Sequence, residues 1–431
     1  MVMHRYLKII FALVLGLVLL AAAGCGSKKE EKPQAAAGDK PGEIVVGYTG
    51  PLSGPAAEYG QDCLNGVDMA VKEINGAGGI TVSGKKYLFR LEKLDDGADP
   101  TNAVNNARRF RDQYKAPAVF NPVFTTIAPM LEINEEKGNE FLVMAYTSTP
   151  KVVQMGKKLV VAIPPPFTSY VKSYTDMAME QGWRKAAMVV TLGAYGDEWR
   201  KAFKEYWESK GGKITADKPA NYYTETDYSA QLTAALATKP DVLLIGGPSA
   251  PTALVIEQAR GLGFKGGFMI IDQAKMDYIA DILKGTKLME NLIGVSAVAE
   301  VPTVMAPIFD KKYKETYKKM NTWESALNYA AMYALSRAIA EAGTVENAAA
   351  IRAAFPKAFP LAGDKFPNEY YGVSDKGRMQ VMSSIQMIKD GKYTTPTSYI
   401  WWLNSEEEFN KFKPQVKLVG NPPVKFMKVD E

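Results

Sequence analysis

The sequence predicts an α/β fold made of two doubly wound, parallel-sheet lobes, and three observations lead to that prediction. Short apolar segments alternate with amphipathic ones from Glu43 onward, which is the pattern of strands that alternate with helices. Apolar segments such as Val242–Ile245 contain no polar position, as expected for parallel strands that are covered on both faces. The alternation extends over about 390 residues, more than one compact sheet normally takes, so we expect two lobes.

Apolar spacing and turn residues predict the individual elements. Cys63, Val67 and Ile74 fall at helical spacing on one face, and the glycines that follow Asn75 end that helix. Asp99-Pro100 starts the next helix, with aspartate as the N-cap and proline at the first helical position. Strands are predicted at 44–48, 87–94, 118–120, 141–145, 186–191, 242–246 and 268–271. Helices are predicted near 127–137, 167–181, 196–210, 228–237, 250–261, 274–284 and 324–342, and a hairpin near 389–392.

Composition and charge exclude several classes of function. The chain has 52 basic and 47 acidic residues, and a net charge of +5 is too small to indicate a surface that binds nucleic acid. The single histidine, His4, lies in a segment that we predict to be removed, which excludes histidine-dependent catalysis and histidine metal sites. If Cys25 carries a lipid, Cys63 has no disulfide partner and is predicted to be a buried, inert thiol. We therefore expect no cofactor and no metal ion.

The N-terminus is predicted to be a lipoprotein export signal. A short basic segment precedes an apolar run that is shorter than the roughly 20 residues needed to span a bilayer. The small residues before Cys25 resemble a bacterial lipobox, although Ala22 stands where leucine is usual; an ordinary signal peptide with an incidental cysteine is the alternative. We predict a signal peptide over 1–24, acylation of Cys25, and a flexible tether over 25–42. The exported chain would then be anchored to the cell membrane, facing the periplasm or the extracellular side.

Sequences that look like catalytic motifs do not have the context that catalysis requires. Residues 261–266 match the glycine pattern of dinucleotide-binding folds, but they follow a predicted helix and precede a strand, so they indicate a turn. Ser83 and Ser169 each begin an S-x-x-K sequence, without the partner motifs of serine acyl-transfer sites. Because no nucleophile is placed beside a base, we predict that the protein is not an enzyme.

Polar side chains gather instead where predicted parallel strands end. In the first lobe, Thr125 and Thr126 follow one strand, and Thr147 and Ser148 follow the next. Hydroxyl and free N–H groups at a helix start can bind a carboxylate, although they also serve as plain helix caps. In the second lobe, Asp272 follows an apolar strand, where it either caps a helix or binds an ammonium group. Since ligands lie at the carboxyl ends of such strands, the sequence predicts a zwitterion held between two lobes.

The start of the mature chain is similar to a known family. The matching residues are Val46-Gly47, Gly50-Pro-Leu-Ser-Gly54, Tyr59-Gly60, Asn65-Gly66, Ile74-Asn75, Gly78-Gly-Ile80, Asp95-Asp96 and Asp99-Pro100. They resemble the opening of the bacterial leucine/isoleucine/valine-binding proteins, the solute receptors of branched-chain-type amino-acid ABC transporters. The resemblance covers nearly the whole mature chain. It implies a type I periplasmic binding fold, a monomer, and a permease in the inner membrane as the partner.

The resemblance also implies ligand-binding residues. The hydroxyl pair Thr125 and Thr126 falls at the family's first carboxylate-binding position, and Thr147 and Ser148 fall at its second ligand loop. Asp272 falls where an acid contacts the ligand ammonium, although glutamate is commoner there. The other implied positions are Tyr59, Tyr195 and Tyr329 near the cleft, and Phe124, which stands where smaller residues are usual and is expected to reshape the pocket.

Three hinge crossings between the lobes follow from the same resemblance. We predict the crossings near 164–168, 294–298 and 372–380. The first lobe would comprise 43–165 and 297–373, and the second would comprise 166–296 and 374–431.

Other functions remain open at this stage. A receptor of this fold can sense a ligand for a signalling protein instead of delivering it to a permease. Relatives also carry amides, urea or aromatic acids. An enzyme is the weakest alternative, because the mature chain has no histidine and no general base placed beside a nucleophile.

Overall fold

Two sheets with helices on both faces form the part of the chain that the computed structural model describes, which is residues 40–54, 56–411 and 417–430. The predicted signal peptide, Cys25 and nearly all of the predicted tether lie outside the described residues. Within the described part of the chain, no helix combines the length and the apolar character needed to cross a bilayer.

The first sheet has six strands in the order β2-β3-β1-β4-β5-β6. Its strands are β1 Gly42–Gly50, β2 Ile80–Val82, β3 Lys85–Asp95, β4 Ala118–Asn121, β5 Leu142–Ala145 and β6 Val160–Ala162. All neighbours are parallel except β2 and β3. The chain leaves β1 toward β3 on one side and later returns to place β4 on the other. This change of direction creates a crevice at the carboxyl ends of β1 and β4.

The second sheet is parallel at its centre and antiparallel at one edge. Its order is β8-β7-β9-β10-β11-β14-β16-β17, with β15 paired to β14. The strands are β7 Lys185–Val190, β8 Lys213–Asp217, β9 Val242–Gly246, β10 Gly267–Ile270, β11 Leu292–Val295, β14 Ser383–Lys389, β15 Lys392–Tyr393, β16 Thr397–Ile400 and β17 Val424–Phe426. The strands β7 to β11 are parallel, whereas β14 is antiparallel to both of its neighbours. The prediction of a parallel sheet therefore misses this antiparallel edge.

Thirteen helices within the described residues cover the two sheets. They are α1 Ala57–Gly76, α2 Pro100–Tyr114, α3 Phe124–Ile133, α4 Lys151–Gln154, α5 Phe167–Glu180, α6 Ala194–Ser209, α7 Ser229–Leu236, α8 Ser249–Gly261, α9 Met276–Ile282, α10 Met305–Tyr317, α11 Trp323–Ala342, α12 Ala348–Ala354 and α13 Glu406–Asn410. As predicted, Asp99 caps α2 by accepting a hydrogen bond from the Asn102 amide, and proline occupies the first turn. The predicted hairpin is also present, between β14 and β15.

Within the described residues, the chain passes between the two lobes three times. The first passage lies between β6 and α5, and the second follows β11. The third lies between β13, Met379–Val381, and β14, slightly later than the predicted 372–380. It comes later because β13 pairs with β12, Tyr370–Val373, while Arg378 forms a bridge with Ala162 at the edge of the first sheet.

Close packing of α1 against α11 fixes the wall of the first lobe beside the crevice. A Cβ atom on Gly66 would lie 2.2 Å from the Ser325 carbonyl oxygen, so only glycine lets the two helices approach this closely. Thr322 and Ser325 form a reciprocal capping box that starts α11 at Trp323. Cys63 is completely buried on α1, and burial raises its thiol pKa, in agreement with an inert core residue.

Candidate functional site

A cavity of about 920 Å³ lies where the carboxyl ends of the two sheets face each other. The first lobe contributes the loops that follow β4 and β5, and the second contributes the loops that follow β7, β9 and β10. The sequence predicts polar side chains at three of these loops, those that follow β4, β5 and β10. The volume is within the range of small-molecule sites, at its upper end.

The start of α3 presents hydrogen-bond donors to the cavity. Asn121 at the end of β4 organises this turn, because its side-chain oxygen accepts from the Val123 amide at 2.9 Å and from the Thr126 hydroxyl at 2.7 Å. The amides of Phe124 and Thr125 find no hydrogen-bond partner within the described residues, and both residues line the cavity. Free amides at the N-terminus of a ten-residue helix attract an anion such as a carboxylate.

The loop after β5 joins the two lobes directly. The Ser148 hydroxyl lies 2.9 Å from the Tyr195 hydroxyl of the second lobe, and the Thr149 hydroxyl donates to Glu198 at 2.8 Å. The fully buried Arg378 guanidinium donates to the carbonyls of Thr147 at 3.2 Å and of Thr149 at 2.9 Å. These bonds hold the loop in one conformation, with Thr147 and Ser148 on the cavity wall.

Asp272 is the acid at the opposite wall, just after β10. Its Oδ1 atom accepts hydrogen bonds from the Tyr195 hydroxyl and, at 3.0 Å, from the Trp199 indole. Burial raises the pKa of Asp272, while hydrogen bonds from Tyr195, Ser148 and Trp199 and the charge of Lys275 act in the opposite direction. Asp272 does not cap the following helix, because the N-cap position of α9 is Lys275.

A buried ion pair crosses the cavity between the lobes. The Lys275 ammonium lies 2.8 Å from the Glu324 carboxylate at the start of α11, and the two side chains are only 8% and 5% exposed. Lys275 also donates to the carbonyls of Asp272 at 2.9 Å and of Gln273 at 3.0 Å. Neither member of this pair was predicted from the sequence. Their only sequence signal is position, since each lies within a few residues of a strand end or helix start that borders the crevice.

Aromatic side chains form much of the remaining wall. Tyr59 packs edge-on against Tyr146 with ring centroids 6.1 Å apart, and its hydroxyl donates to the Pro122 carbonyl at 3.1 Å. Tyr170 and Trp323 also line the cavity and were not singled out from the sequence. Rings with a polar group at one end suit a ligand that combines an apolar body with charged groups.

Two of the residues singled out from the sequence lie away from the cavity. The Thr126 hydroxyl is buried, where it donates to Asn121 and to the Val123 carbonyl at 2.8 Å. Successive helix residues point about 100° apart, so Thr125 faces the cavity while Thr126 faces the sheet. Tyr329 lies in the packing between α11 and α1, where its hydroxyl donates to Glu73 at 2.7 Å. The residues that the structure does place on the cavity wall are Tyr59, Phe124, Thr125, Thr147, Ser148, Tyr195 and Asp272.

Two doubly wound lobes with a polar cavity at their facing strand ends define a two-lobed ligand-binding protein. A family model described as periplasmic binding protein matches residues 43–392, so the chain belongs to the periplasmic binding protein family. This membership agrees with the family resemblance and the fold class predicted from the sequence.

Individual relatives point in the same direction. The chain is 26% identical over 264 residues to an amino acid binding protein of Pseudomonas aeruginosa, and 29% identical over 229 residues to a Leu/Ile/Val-binding protein of Rhizobium johnstonii. These alignments cover 58% and 51% of this chain, and 66% and 59% of the relatives, which is less than two thirds of their length. A crystal structure of a leucine binding protein from Thermotoga maritima shares the fold, with a TM-score of 0.68, 24% identity, and coverage of 81% of this chain and 97% of that chain.

Proposed function

We propose that this protein is an extracytoplasmic solute receptor that encloses one amino-acid-like zwitterion between its lobes and delivers it to an ABC importer. The observation that carries the proposal is the distribution of ligand partners across the cavity. Free amides of Phe124 and Thr125 lie on one wall, and the Asp272 carboxylate lies on the other. A buried carboxylate requires donors and a buried ammonium requires an acid, so a zwitterion satisfies both walls when the lobes close.

The relatives support an amino acid as the ligand, because two of them are named for amino acid or Leu/Ile/Val binding. In this proposal the receptor is a monomer whose partner is a permease in the inner membrane. Acylation of Cys25 would anchor the receptor to the membrane surface, since stable anchoring needs more than one acyl chain. The polar, ligand-binding cavity would then face the compartment from which the solute is taken up.

The test is a thermal-shift screen of the mature protein against the standard amino acids, simple amides, urea and benzoate. A ligand at 100 times its dissociation constant stabilises the folded state by about 2.7 kcal/mol, which is readily measured. The expected result is a shift with one or more amino acids. A screen in which no amino acid shifts the melting temperature contradicts the proposal.

Calorimetric titration of variants then tests the charge assignment. Asp272→Ala removes the partner of a buried charge, which costs on the order of 2–5 kcal/mol and weakens binding at least about thirtyfold. Asp281→Ala is the matched control, because Asp281 is an exposed acid on the cavity rim of the same lobe. Unchanged affinity in a folded Asp272→Ala protein would exclude Asp272 as the partner of the ligand's ammonium group.

A further inference from the structure

One tryptophan makes a contact with the candidate site that family resemblance does not assign. Trp199 lies on α6, one turn after Tyr195, and its side chain is completely buried. Its indole N–H lies 3.0 Å from Asp272 Oδ1 and 3.2 Å from the Tyr195 hydroxyl oxygen. Residues four apart on a helix share one face, so Tyr195 and Trp199 approach the same carboxylate oxygen together.

Stacking on two aromatic rings fixes the orientation of this indole. The Trp199 ring stacks on Phe167, with centroids 5.5 Å apart and planes inclined by 28°. It also stacks on Tyr174, at 6.1 Å and 26°. A buried ring that stacks on two aromatic side chains of α5 cannot rotate without breaking the packing of α6 against α5, so the N–H group remains directed at Asp272.

The chemistry of the indole suits a buried carboxylate. Its N–H is a donor only and does not titrate, so it can stabilise the charged form of an acid at every pH. Asp272 needs such support, because burial favours its neutral form. The titratable or charged groups that face it are Tyr195 on α6, Tyr170 and Tyr174 on α5, Tyr59 on α1, and Lys275 with its partner Glu324.

We propose that Trp199 is a positioning residue that fixes the Asp272 carboxylate, in orientation and in charge, for the ammonium group of the ligand. The inference rests on the proposed function and adds a residue that touches no ligand itself. Asp272 is one methylene shorter than glutamate and is tethered by a short side chain. A rigid donor behind it compensates by setting where its oxygens lie.

The experiment compares Trp199→Phe with Trp207→Phe in the mature protein. Trp207 is the matched control, because it is also completely buried on α6 and its indole donates to a backbone carbonyl, that of Arg184, at 3.2 Å. Phenylalanine keeps most of the ring packing at both positions and removes one N–H donor. The affinity for the amino acid found in the screen is measured by calorimetry from pH 4 to pH 8.

The expected result for Trp199→Phe is a dissociation constant raised about ten- to a hundredfold at pH 7, as for loss of a hydrogen bond to a charged group. The acid midpoint of binding should also move upward by about one pH unit, because the ionised form of Asp272 has lost a donor. Trp207→Phe should lose about as much stability as Trp199→Phe, but it should keep the ligand affinity and the acid midpoint of binding of the parent protein.

The outcomes separate this inference from the proposed function. If Asp272→Ala weakens binding while Trp199→Phe matches Trp207→Phe in affinity and midpoint, Trp199 is only a core residue and the inference is overturned. If Asp272→Ala itself leaves binding unchanged, Asp272 does not bind the ligand ammonium. Trp199 then has no role in binding through Asp272. Should Trp199→Phe not fold, Trp199→Met provides a second variant without the donor, judged by the same two readouts.

Discussion

Neutralising Glu324 should weaken ligand binding much more than it weakens folding. Glu324 pairs with Lys275 across the cavity at 2.8 Å, with both side chains almost fully buried. Loss of one partner from a buried pair costs about 3–5 kcal/mol, because it leaves an uncompensated charge. Lys275 keeps two carbonyl acceptors in a Glu324→Gln protein, so we place the cost somewhat below that range, at about 2–3 kcal/mol.

This cost should make lobe closure less favourable and leave the open state unaffected, because water can solvate Lys275 once the lobes separate. We therefore expect calorimetry of Glu324→Gln to give a dissociation constant about 30- to 150-fold higher, with a melting temperature of the ligand-free protein that changes little. The pair of Lys151 with Glu198 also crosses the lobes, at 2.6 Å, but its lysine is 54% exposed. Lys151→Met is thus the matched control, with an expected cost of about 0–1 kcal/mol. An equal effect of the two substitutions on affinity would refute the reasoning.

Three further predictions concern the carboxylate wall, the buried acid on α1 and the N-terminus. Thr125→Ala should weaken amino acid binding by about 1–3 kcal/mol in a calorimetric titration, because it removes one hydroxyl donor while the backbone amides remain. An unchanged affinity would show that the hydroxyl does not bind the ligand. Burial raises the pKa of Asp62 to about 6 despite its ion pair with Lys319, so this group stabilises the fold below about pH 4, and its contribution is lost as pH rises through 6. The free energy of unfolding should accordingly fall about 2 kcal/mol more in the parent protein than in Asp62→Asn between pH 4 and pH 7, as measured by denaturant titration, and parallel curves would contradict it. Cys25→Ser should abolish acylation, and mass spectrometry that finds an unmodified Cys25 at the mature N-terminus of the parent protein would show that the lipoprotein prediction is wrong.

Apolar patterning predicted seven strands and most helices, because burial on both faces of a parallel sheet leaves a local signature. The short parallel strands β6, β8 and β11 were not predicted. Thr125, Ser148 and Asp272 could be singled out for a similar reason, since each follows a strand whose carboxyl end must border the crevice. The turn of the hairpin between β14 and β15 was also predicted, but the antiparallel pairing of β14 with β11 gave no comparable signal. Strand direction there depends on where the chain returns from the first lobe, and no local pattern records that return.

The residues that sequence reasoning missed depend on contacts between distant parts of the chain. Lys275 and Glu324 belong to different lobes, so their pairing follows only from the orientation of one lobe against the other. The spacing of Tyr195 and Trp199 places them on one helical face, but the sequence does not show that this face meets Asp272. Tyr329 is the converse case, because its helix borders the crevice while its own side chain points to Glu73.

The direct contacts between the lobes bear on how the ligand controls closure. A ligand shifts an open–closed equilibrium only by the difference between its affinities for the two states. In this protein Ser148 and Tyr195, and Lys275 and Glu324, already join the lobes through atoms of the chain itself. The ligand therefore has to supply only the remaining part of the free energy of closure. Both contacts adjoin Asp272. If this acid binds the ligand ammonium as we propose, the same residues couple recognition of that ammonium to the movement of the lobes.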